Sequence, residues 1–331
     1  MRPMNSLIDR RRFLALTAAG ALAPVVAPAV ARGAAAASQI AGSAFGTGWS
    51  VTLPAGTKSQ ALHQRIEALL AELDLTFSPW RPDSLLSRFN AGEAPAMSVG
   101  GELAGVTASS LAIAEASDGY FDPTVGPLVA RWGFGPIDHG DASPEGRRGL
   151  SVDNDHIVRS APGLTLDLCG IAKGHALDRV SGLLRDFGCD DFLVDLGGEL
   201  AAHGHHPSGR DWQLGVEDPR PGAEALAGRL RLDGMAVATS GDRTNGYDVG
   251  PRRYSHIIDP ATQEPVETTL ASVSVVMPTA GAADGWATAL MAAGAGGPDM
   301  AKRHGIAALF LFRSGSALRA ATTGTIEQYL V

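Results

Sequence analysis

Segments with the apolar spacing of helices alternate along the chain with short apolar segments typical of strands, and this alternation limits the fold more than any other feature. Apolar residues recur at helical spacing from Leu62 to Leu73, which predicts an amphipathic helix over residues 59–75. Strands are predicted at 49–53, 191–196, 271–277 and 306–312. No motif repeats with a period of about 20 to 50 residues, which argues against solenoids and propellers. We therefore expect a mixed α+β fold.

Length and composition restrict the classes of function open to this chain. Its 331 residues, 45% of them hydrophobic, are enough to bury one large core or two smaller ones. The formal net charge of −8 gives no support to a nucleic-acid binder, because such domains carry a basic face. Two cysteines in a chain of this length do not form a disulfide framework, so apolar cores must hold the fold together.

The N-terminal segment has the pattern of a twin-arginine export signal. Arg10 and Arg11 precede an Ala/Leu/Val run, and small residues up to Ala31 fit an A-x-A cleavage site. Prolines interrupt the run, which argues against a membrane anchor of about 20 unbroken apolar residues. The segment also lacks the cysteine to which a lipid anchor would be attached. We expect residues 1–31 to be removed on export and residues 32–331 to form a single periplasmic domain without a membrane anchor.

The segment DLCGIAKGHALD, residues 167–178, places two glycines and a lysine ahead of a helical pattern. A short strand is predicted at 164–168, and the apolar spacing that follows the segment predicts a helix ended by Gly188. The turn between them contains Gly170 and Gly174. Glycines let a backbone approach a ligand, and a helix N-terminus directs N–H groups at an anion. The segment is therefore either a phosphate site or an ordinary turn.

A second candidate site lies on the predicted helix at 282–294. Asp284 and Thr288 stand four residues apart, on one face of that helix. A carboxylate and a hydroxyl are hard oxygen ligands, which suit Mg²⁺. The alternative is that Asp284 is a charge favoured by the helix dipole and Thr288 a packed side chain.

Two further features of the sequence involve histidines. His256 lies in an extended apolar stretch, where it is either a satisfied core residue or a proton acceptor active near neutral pH. A base, a glycine turn for phosphate and hard ligands for Mg²⁺ together describe phosphoryl transfer. By contrast, His203, His205 and His206 have no spacing specific to a metal site, which favours a solvated loop over a transition-metal site.

Eight motifs, in this order and over nearly the whole of residues 32–331, resemble those of the ApbE-type FAD:protein FMN transferases. They are FGTGWSV (45–51), FSPWRPDSLLSRFN (77–90), DGYFDPTVGPLVARWGFG (118–135), LDLCGIAKGHALD (166–178), LVDLGGEL (193–200), ATSGD (238–242), YSHIIDP (254–260) and ADGWATAL (283–290). The resemblance implies an α+β domain of the ApbE (T-fold-like) type. Phe45 stands where many relatives carry Met, and Cys169 replaces a usual small residue.

The resemblance also implies an activity and a set of site residues. The enzyme would bind FAD with Mg²⁺, transfer FMN through a phosphoester bond to a Ser or Thr hydroxyl of an extracytoplasmic flavoprotein, and release AMP. His256 would lie near the chemistry, and Asp284, Thr288 and the carbonyl of Gly170 would hold the metal. The residues implied to line the FAD site are Phe45, Trp80, Tyr120, Phe121, Asp122, Asp167, Lys173 and Ile257.

Two other functions use some of the same residues. Water in place of the protein hydroxyl would make the enzyme an FAD pyrophosphatase that yields FMN and AMP. A flavin carrier without a reaction would need pocket residues but not Asp284, Thr288 and His256 together. A twin-arginine signal in this family resembles the accessory flavinyltransferases of nitrous oxide respiration, while other exported relatives modify subunits of ion-pumping complexes or reductases.

Overall fold

The computed structural model describes residues 37–140, 146–243, 245–250 and 252–331, so the predicted export signal at 1–31 lies outside the described residues. The strands are β1 Ala37–Ala44, β2 Thr47–Pro54, β3 Ala96–Ser98, β4 Leu150–Asp153, β5 His156–Arg159, β6 Phe192–Leu196, β7 Glu199–His203, β8 Trp212–Glu217, β9 Leu226–Leu232, β10 Met235–Gly241, β11 Gly246–Val249, β12 Arg252–Ser255, β13 Ile258–Asp259, β14 Glu264–Pro265, β15 Leu270–Met277, β16 Ala307–Ser314 and β17 Ala317–Thr323. The helices are α1 Ser59–Phe77, α2 Leu85–Ala91, α3 Gly100–Ala116, α4 Gly126–Arg131, α5 Ala172–Asp186, α6 Ala280–Ala292 and α7 Gly297–Arg303. In these ranges no helix combines the length and the apolar character needed to cross a bilayer.

Eight of the described strands form one antiparallel sheet. Its order is β1-β2-β6-β7-β10-β15-β16-β17, and each neighbouring pair runs antiparallel. Shorter sheets, β3-β5-β4, β8-β9, β11-β12 and β13-β14, lie outside it. Helices and strands in one chain confirm the predicted α+β class.

Both faces of the large sheet are covered, because the central strands alternate apolar side chains between two cores. On β16, Ala308 and Phe310 belong to the larger core, while Leu309 and Leu311 belong to a smaller one. The larger core includes the apolar faces of α1, α3, α5 and α6. The smaller core is completed by the hairpin β8-β9, including the buried ring of Trp212. The helices that carry the candidate site residues therefore lie on one face of the sheet.

Helices α5 and α6 are in backbone contact. A Cβ atom added to Gly174 would lie 2.3 Å from the carbonyl oxygen of Ala280, so only glycine fits there. In addition, the carboxylate of Asp178 on α5 accepts hydrogen bonds from Ala280 N (2.7 Å) and Gly281 N (2.9 Å), the first two residues of α6. Asp178 thereby satisfies N–H groups that a helix start otherwise leaves open.

Most of the predicted elements are confirmed, and two are wrong. The helix predicted at 59–75 is α1, and the strands predicted at 49–53, 191–196, 271–277 and 306–312 correspond to β2, β6, β15 and β16. No strand forms at 164–168, because its backbone pairs with the side chain of Asn90 instead of with another strand. The turn predicted to reach Gly174 also ends earlier, since α5 begins at Ala172 and includes both Lys173 and Gly174.

We predict that Gly174→Ala destabilises the protein because the new methyl group must separate α5 from α6. Overpacking of this kind typically costs about 1–3 kcal/mol in the free energy of unfolding. Gly182 on the same helix is a matched control, since a Cβ atom there meets nothing within 4 Å. Gly182→Ala should raise the free energy of unfolding by about 0.5–1 kcal/mol. Urea unfolding measures both, and equal stabilities of the two variants would contradict the close helix contact.

Candidate active site

The candidate metal ligands are brought together where α6 faces the turn before α5. A Cβ atom on Gly170 would lie 3.0 Å from Thr288 Oγ1 and 3.1 Å from the ring of Phe121. Four residues after Gly170, a Cβ atom on Gly174 would lie 2.8 Å from the Cβ of Asp284, which precedes Thr288 by four residues on α6. Thr288 thus faces Gly170 and Asp284 faces Gly174, and the two residues on each side are four apart in the chain. Thr288 therefore lies beside the turn before α5, and Asp284 beside the first turn of α5.

The donor set at this point fits a hard divalent cation. Asp284 is buried, and its Oδ2 accepts a hydrogen bond from Gly174 N at 3.1 Å. Burial raises the pKa of Asp284, while Lys173 and the Gly174 N–H act in the opposite direction. A buried carboxylate beside a hydroxyl and a glycine backbone offers oxygen atoms of the kind that Mg²⁺ prefers. These residues therefore fit the predicted metal.

Glu199 is a site residue that the sequence analysis did not predict. It begins β7, its side chain is buried, and its Oε1 accepts a hydrogen bond from Lys173 Nζ at 2.6 Å. Burial, followed by the charge of Asp284, raises the pKa of Glu199 to about 7 against the opposing effect of Lys173. Burial favours the neutral form of Lys173, but Glu199 and Asp284 outweigh it and raise the pKa. Lys173 thus has a carboxylate partner as well as a place beside the glycine turn.

His256 is oriented by a backbone carbonyl. Its Nδ1 lies 2.9 Å from Asn245 O, and since a carbonyl only accepts, Nδ1 carries the proton when the ring is neutral. Burial lowers the pKa of His256, the hydrogen bond to Asn245 raises it, and the charge of Lys173 lowers it further. The neutral ring has Nε2 free of a proton, as a general base requires. The influence of Lys173 also links His256 electrostatically to the α5 end of the site.

The apolar and aromatic residues that the resemblance implies for the FAD site differ in exposure. Phe121 is buried against Gly170, and Ile257 is buried in the main core. Trp80 and Tyr120 expose 66% and 37% of their surface, which leaves ring area open for stacking against a flat ligand. Phe45 is one residue of the β1-β2 turn and has φ 52°, in the left-handed region that is uncommon for a bulky side chain.

The carboxylates of Asp122 and Asp167, also predicted to line the FAD site, are used in local turns. Asp122 is buried, and its Oδ1 accepts hydrogen bonds from Thr124 N (2.8 Å) and Thr124 Oγ1 (2.6 Å). Asp167 Oδ1 accepts from Cys169 N at 2.9 Å, which shapes the turn that leads to Gly170. Both residues hold segments that adjoin the site, and their contact with FAD stays a prediction.

Two other structural features of the site could not be seen in the sequence. Asn90 donates Nδ2–H to Leu166 O and accepts from Leu166 N, both at 2.8 Å, and so holds the segment before the glycine turn. A run of stacked rings leads to His256, whose ring meets the edge of Phe134. The stack consists of Trp132, Tyr254, Tyr247 and Phe134, with centroids 5.2–5.7 Å apart between neighbours.

The three histidines near residue 205 are not brought to this site. His203 Nδ1 donates to Asp190 O at 2.7 Å and its ring stacks on Phe192. The ring of His206 meets the edge of Trp212. The rings of His203 and His206 thus each have a local partner. Metal binding by the three histidines stays untested.

Comparison with known proteins finds similarity over most of the chain. The sequence model of the ApbE family matches residues 45–310. The FAD:protein FMN transferase of Escherichia coli (strain K12) is 31% identical over 312 residues, which cover 88% of each chain. Among solved structures, the apo flavinyl transferase ApbE of Pseudomonas stutzeri superposes with a TM-score of 0.81 at 34% identity, and covers 90% of this chain and 98% of its own. The flavin transferase ApbE of Vibrio cholerae gives 0.80 at 30% identity, with 89% and 99% coverage.

We predict that His256 is a neutral Nδ1–H imidazole at pH 7 and titrates below its ordinary value of 6.5. Lys173→Met should raise the pKa of His256, because the ammonium of Lys173 disfavours a second positive charge nearby. Lys302→Met, on the exposed α7, is the control and should leave the titration unchanged. NMR of ¹⁵N-labelled histidines measures tautomer and pKa, with His256→Asn to assign the signal. A protonated Nε2 at pH 7, or no response to Lys173→Met, would contradict the arrangement.

Proposed function

The chain belongs to the ApbE family, and from this membership and the geometry of the site we propose that it transfers FMN from FAD to a hydroxyl group of an acceptor protein. The observation that carries the proposal is that Thr288 lies beside Gly170 and Asp284 beside Gly174. The charge of Lys173 acts both on Asp284 and on His256. A flavin carrier would need stacking residues but not this combination of hard ligands and a base.

Asp284, Thr288 and the carbonyl of Gly170 would hold Mg²⁺. When bound, the cation neutralises phosphate charge and so lowers the barrier to attack on phosphorus. The phosphates of FAD would lie at the glycine turn that precedes α5, where Gly170 is half-buried and a helix N-terminus follows. Lys173 contributes positive charge beside them. Trp80 and Tyr120 offer exposed rings for stacking.

The reaction exchanges one phosphorus–oxygen bond for another. A Ser or Thr oxygen of the acceptor attacks the phosphorus of the FMN half of FAD, the pyrophosphate bond breaks, and AMP leaves with the bridging oxygen. His256 Nε2 takes the hydroxyl proton, which its neutral Nδ1–H tautomer permits. A general base of this kind typically contributes about 10²- to 10⁴-fold to the rate.

Transfer is tested by incubating the protein with FAD, Mg²⁺ and a candidate acceptor flavoprotein. In-gel flavin fluorescence measures acceptor labelling, and chromatography measures AMP. Labelling with one AMP per flavin supports the transferase, AMP and free FMN without labelling would support the pyrophosphatase, and neither product would support a carrier.

We predict that Asp284→Ala lowers AMP release by about 100-fold or more, since loss of even an indirect partner of a metal ligand typically costs 10- to 100-fold. Thr288→Val keeps the shape of the side chain but removes the oxygen, and should have a smaller effect at limiting Mg²⁺. Asp299→Ala, an exposed acid on α7, is the matched control and should leave the rate unchanged. Wild-type activity of Asp284→Ala at limiting Mg²⁺ would overturn the metal assignment.

We also propose that the enzyme works on an extracytoplasmic acceptor after twin-arginine export, which rests on the sequence of residues 1–31. The acceptor class includes membrane-bound electron-transfer proteins and subunits of exported reductases. Changing Arg10 and Arg11 together to Lys should keep the full-length precursor in the cytoplasm, as seen by cell fractionation and immunoblotting. Normal export of that double variant would show that the signal has been misidentified.

A further inference from the structure

The ion pair between Lys173 and Glu199 has a consequence for the neighbouring Asp284. Lys173 lies in the first turn of α5, between the two glycines that face α6. Two carboxylates act on its charge, Glu199 most strongly and Asp284 next. Among the described residues, only Glu199 is hydrogen-bonded to its ammonium. The Lys173 ammonium is thus held by one carboxylate and lies within electrostatic range of a second, which is proposed to bind metal.

Glu199 is held in place by the sheet. It is the first residue of β7 and pairs with Leu196 across the β6-β7 turn, which consists of Gly197 and Gly198 at φ 67° and 102°. Gly197 N donates to Gly48 O at 3.0 Å, which ties this turn to β2. The side chain is 4% exposed, and its Oε2 is buried without a hydrogen-bond partner among the described residues. A carboxylate fixed in this way can hold a flexible lysine in one direction.

Loss of the Glu199 charge would change both the position of Lys173 and the charge of the site. Lys173, Glu199 and Asp284 carry a combined charge of −1 when all three are ionised. Without the Glu199 charge the sum is zero. Asp284 is then the carboxylate that acts most strongly on the ammonium of Lys173. An ammonium paired with Asp284 would compete directly with a cation for the same oxygens.

We propose that Glu199 is a positioning residue that holds the ammonium of Lys173 away from Asp284 and so keeps the Asp284 carboxylate free for a divalent cation. The proposal rests on the metal assignment made under the proposed function. It differs from a purely structural role for the ion pair, because a structural pair would affect folding stability but not the competition between lysine and metal.

The test is Mn²⁺ binding to the FAD-free protein, measured by electron paramagnetic resonance, with Mn²⁺ as a probe of oxygen-ligand sites. Glu199→Gln should weaken Mn²⁺ binding by about 10- to 100-fold. The double variant Lys173→Met/Glu199→Gln should return affinity to within about threefold of wild type, because it removes the competing ammonium and restores the combined charge of −1. Rescue by a second substitution is not expected of a structural pair.

Asp195→Asn is the control for loss of a nearby negative charge. Asp195 acts on Lys173 electrostatically, but its Oδ1 accepts from Gly198 N and it does not hold the ammonium. This variant should change Mn²⁺ affinity by less than about threefold. An equal loss in Asp195→Asn and Glu199→Gln would overturn the positioning role in favour of a general charge effect.

The remaining outcomes separate this inference from the proposed function. Unchanged Mn²⁺ affinity in Glu199→Gln, together with lost binding in Asp284→Ala, would overturn the role of Glu199 and leave the metal assignment standing. Wild-type affinity in Asp284→Ala would overturn the metal assignment and the inference with it.

If thermal melting shows that Glu199→Gln does not fold, Glu199→Asp replaces it. The shorter carboxylate should weaken Mn²⁺ binding, and added Lys173→Met should restore it; failure of that rescue would overturn the inference.

Discussion

Helices α5 and α6 touch through backbone atoms at Gly174, and the positions of Asp284 and Thr288 opposite Gly174 and Gly170 follow from that contact. Asp178 fixes the start of α6 by accepting its first two N–H groups, and Gly174 N in turn donates to Asp284. Because the helices cannot slide without breaking these hydrogen bonds, Asp284 and Thr288 remain opposite the glycine turn. A buried carboxylate is costly without partners, so the same bonds also make the buried position of Asp284 tolerable.

The antiparallel sheet supplies the other side of the site through its turns. A Cβ atom on Gly197 would lie 2.7 Å from Thr47, so the β6-β7 turn lies against the start of β2, directly after the turn that contains Phe45. Glu199 follows the first of these turns and reaches Lys173 on α5. One end of the sheet therefore carries both an exposed turn with an aromatic residue and a buried anion.

The sequence predicted the local elements well and the contacts between distant segments poorly. Apolar spacing locates α1 because its burial repeats with the period of a helix, while β15 and β16 are found as short continuous apolar runs that are buried on both faces. The segment at 164–168 has the same pattern but no strand beside it, and Asn90 supplies the missing hydrogen bonds from 76 residues away. Gly174 was expected to face a ligand and faces α6 instead, since a glycine requirement does not reveal which neighbour imposes it. Glu199 gave no local signal, because its partner is 26 residues distant.

The charges of the site explain how a carboxylate ligand and a neutral base can coexist. Burial raises the pKa of Asp284 and so acts against its ionised form. Lys173 counters this by stabilising the ionised carboxylate, and the same positive charge adds to burial, which is the larger cause, in lowering the pKa of His256. One ammonium thus favours the two protonation states that phosphoryl transfer to a hydroxyl requires, an anionic ligand and a neutral imidazole. The buried carboxylate of Glu199 is the group that contacts this ammonium.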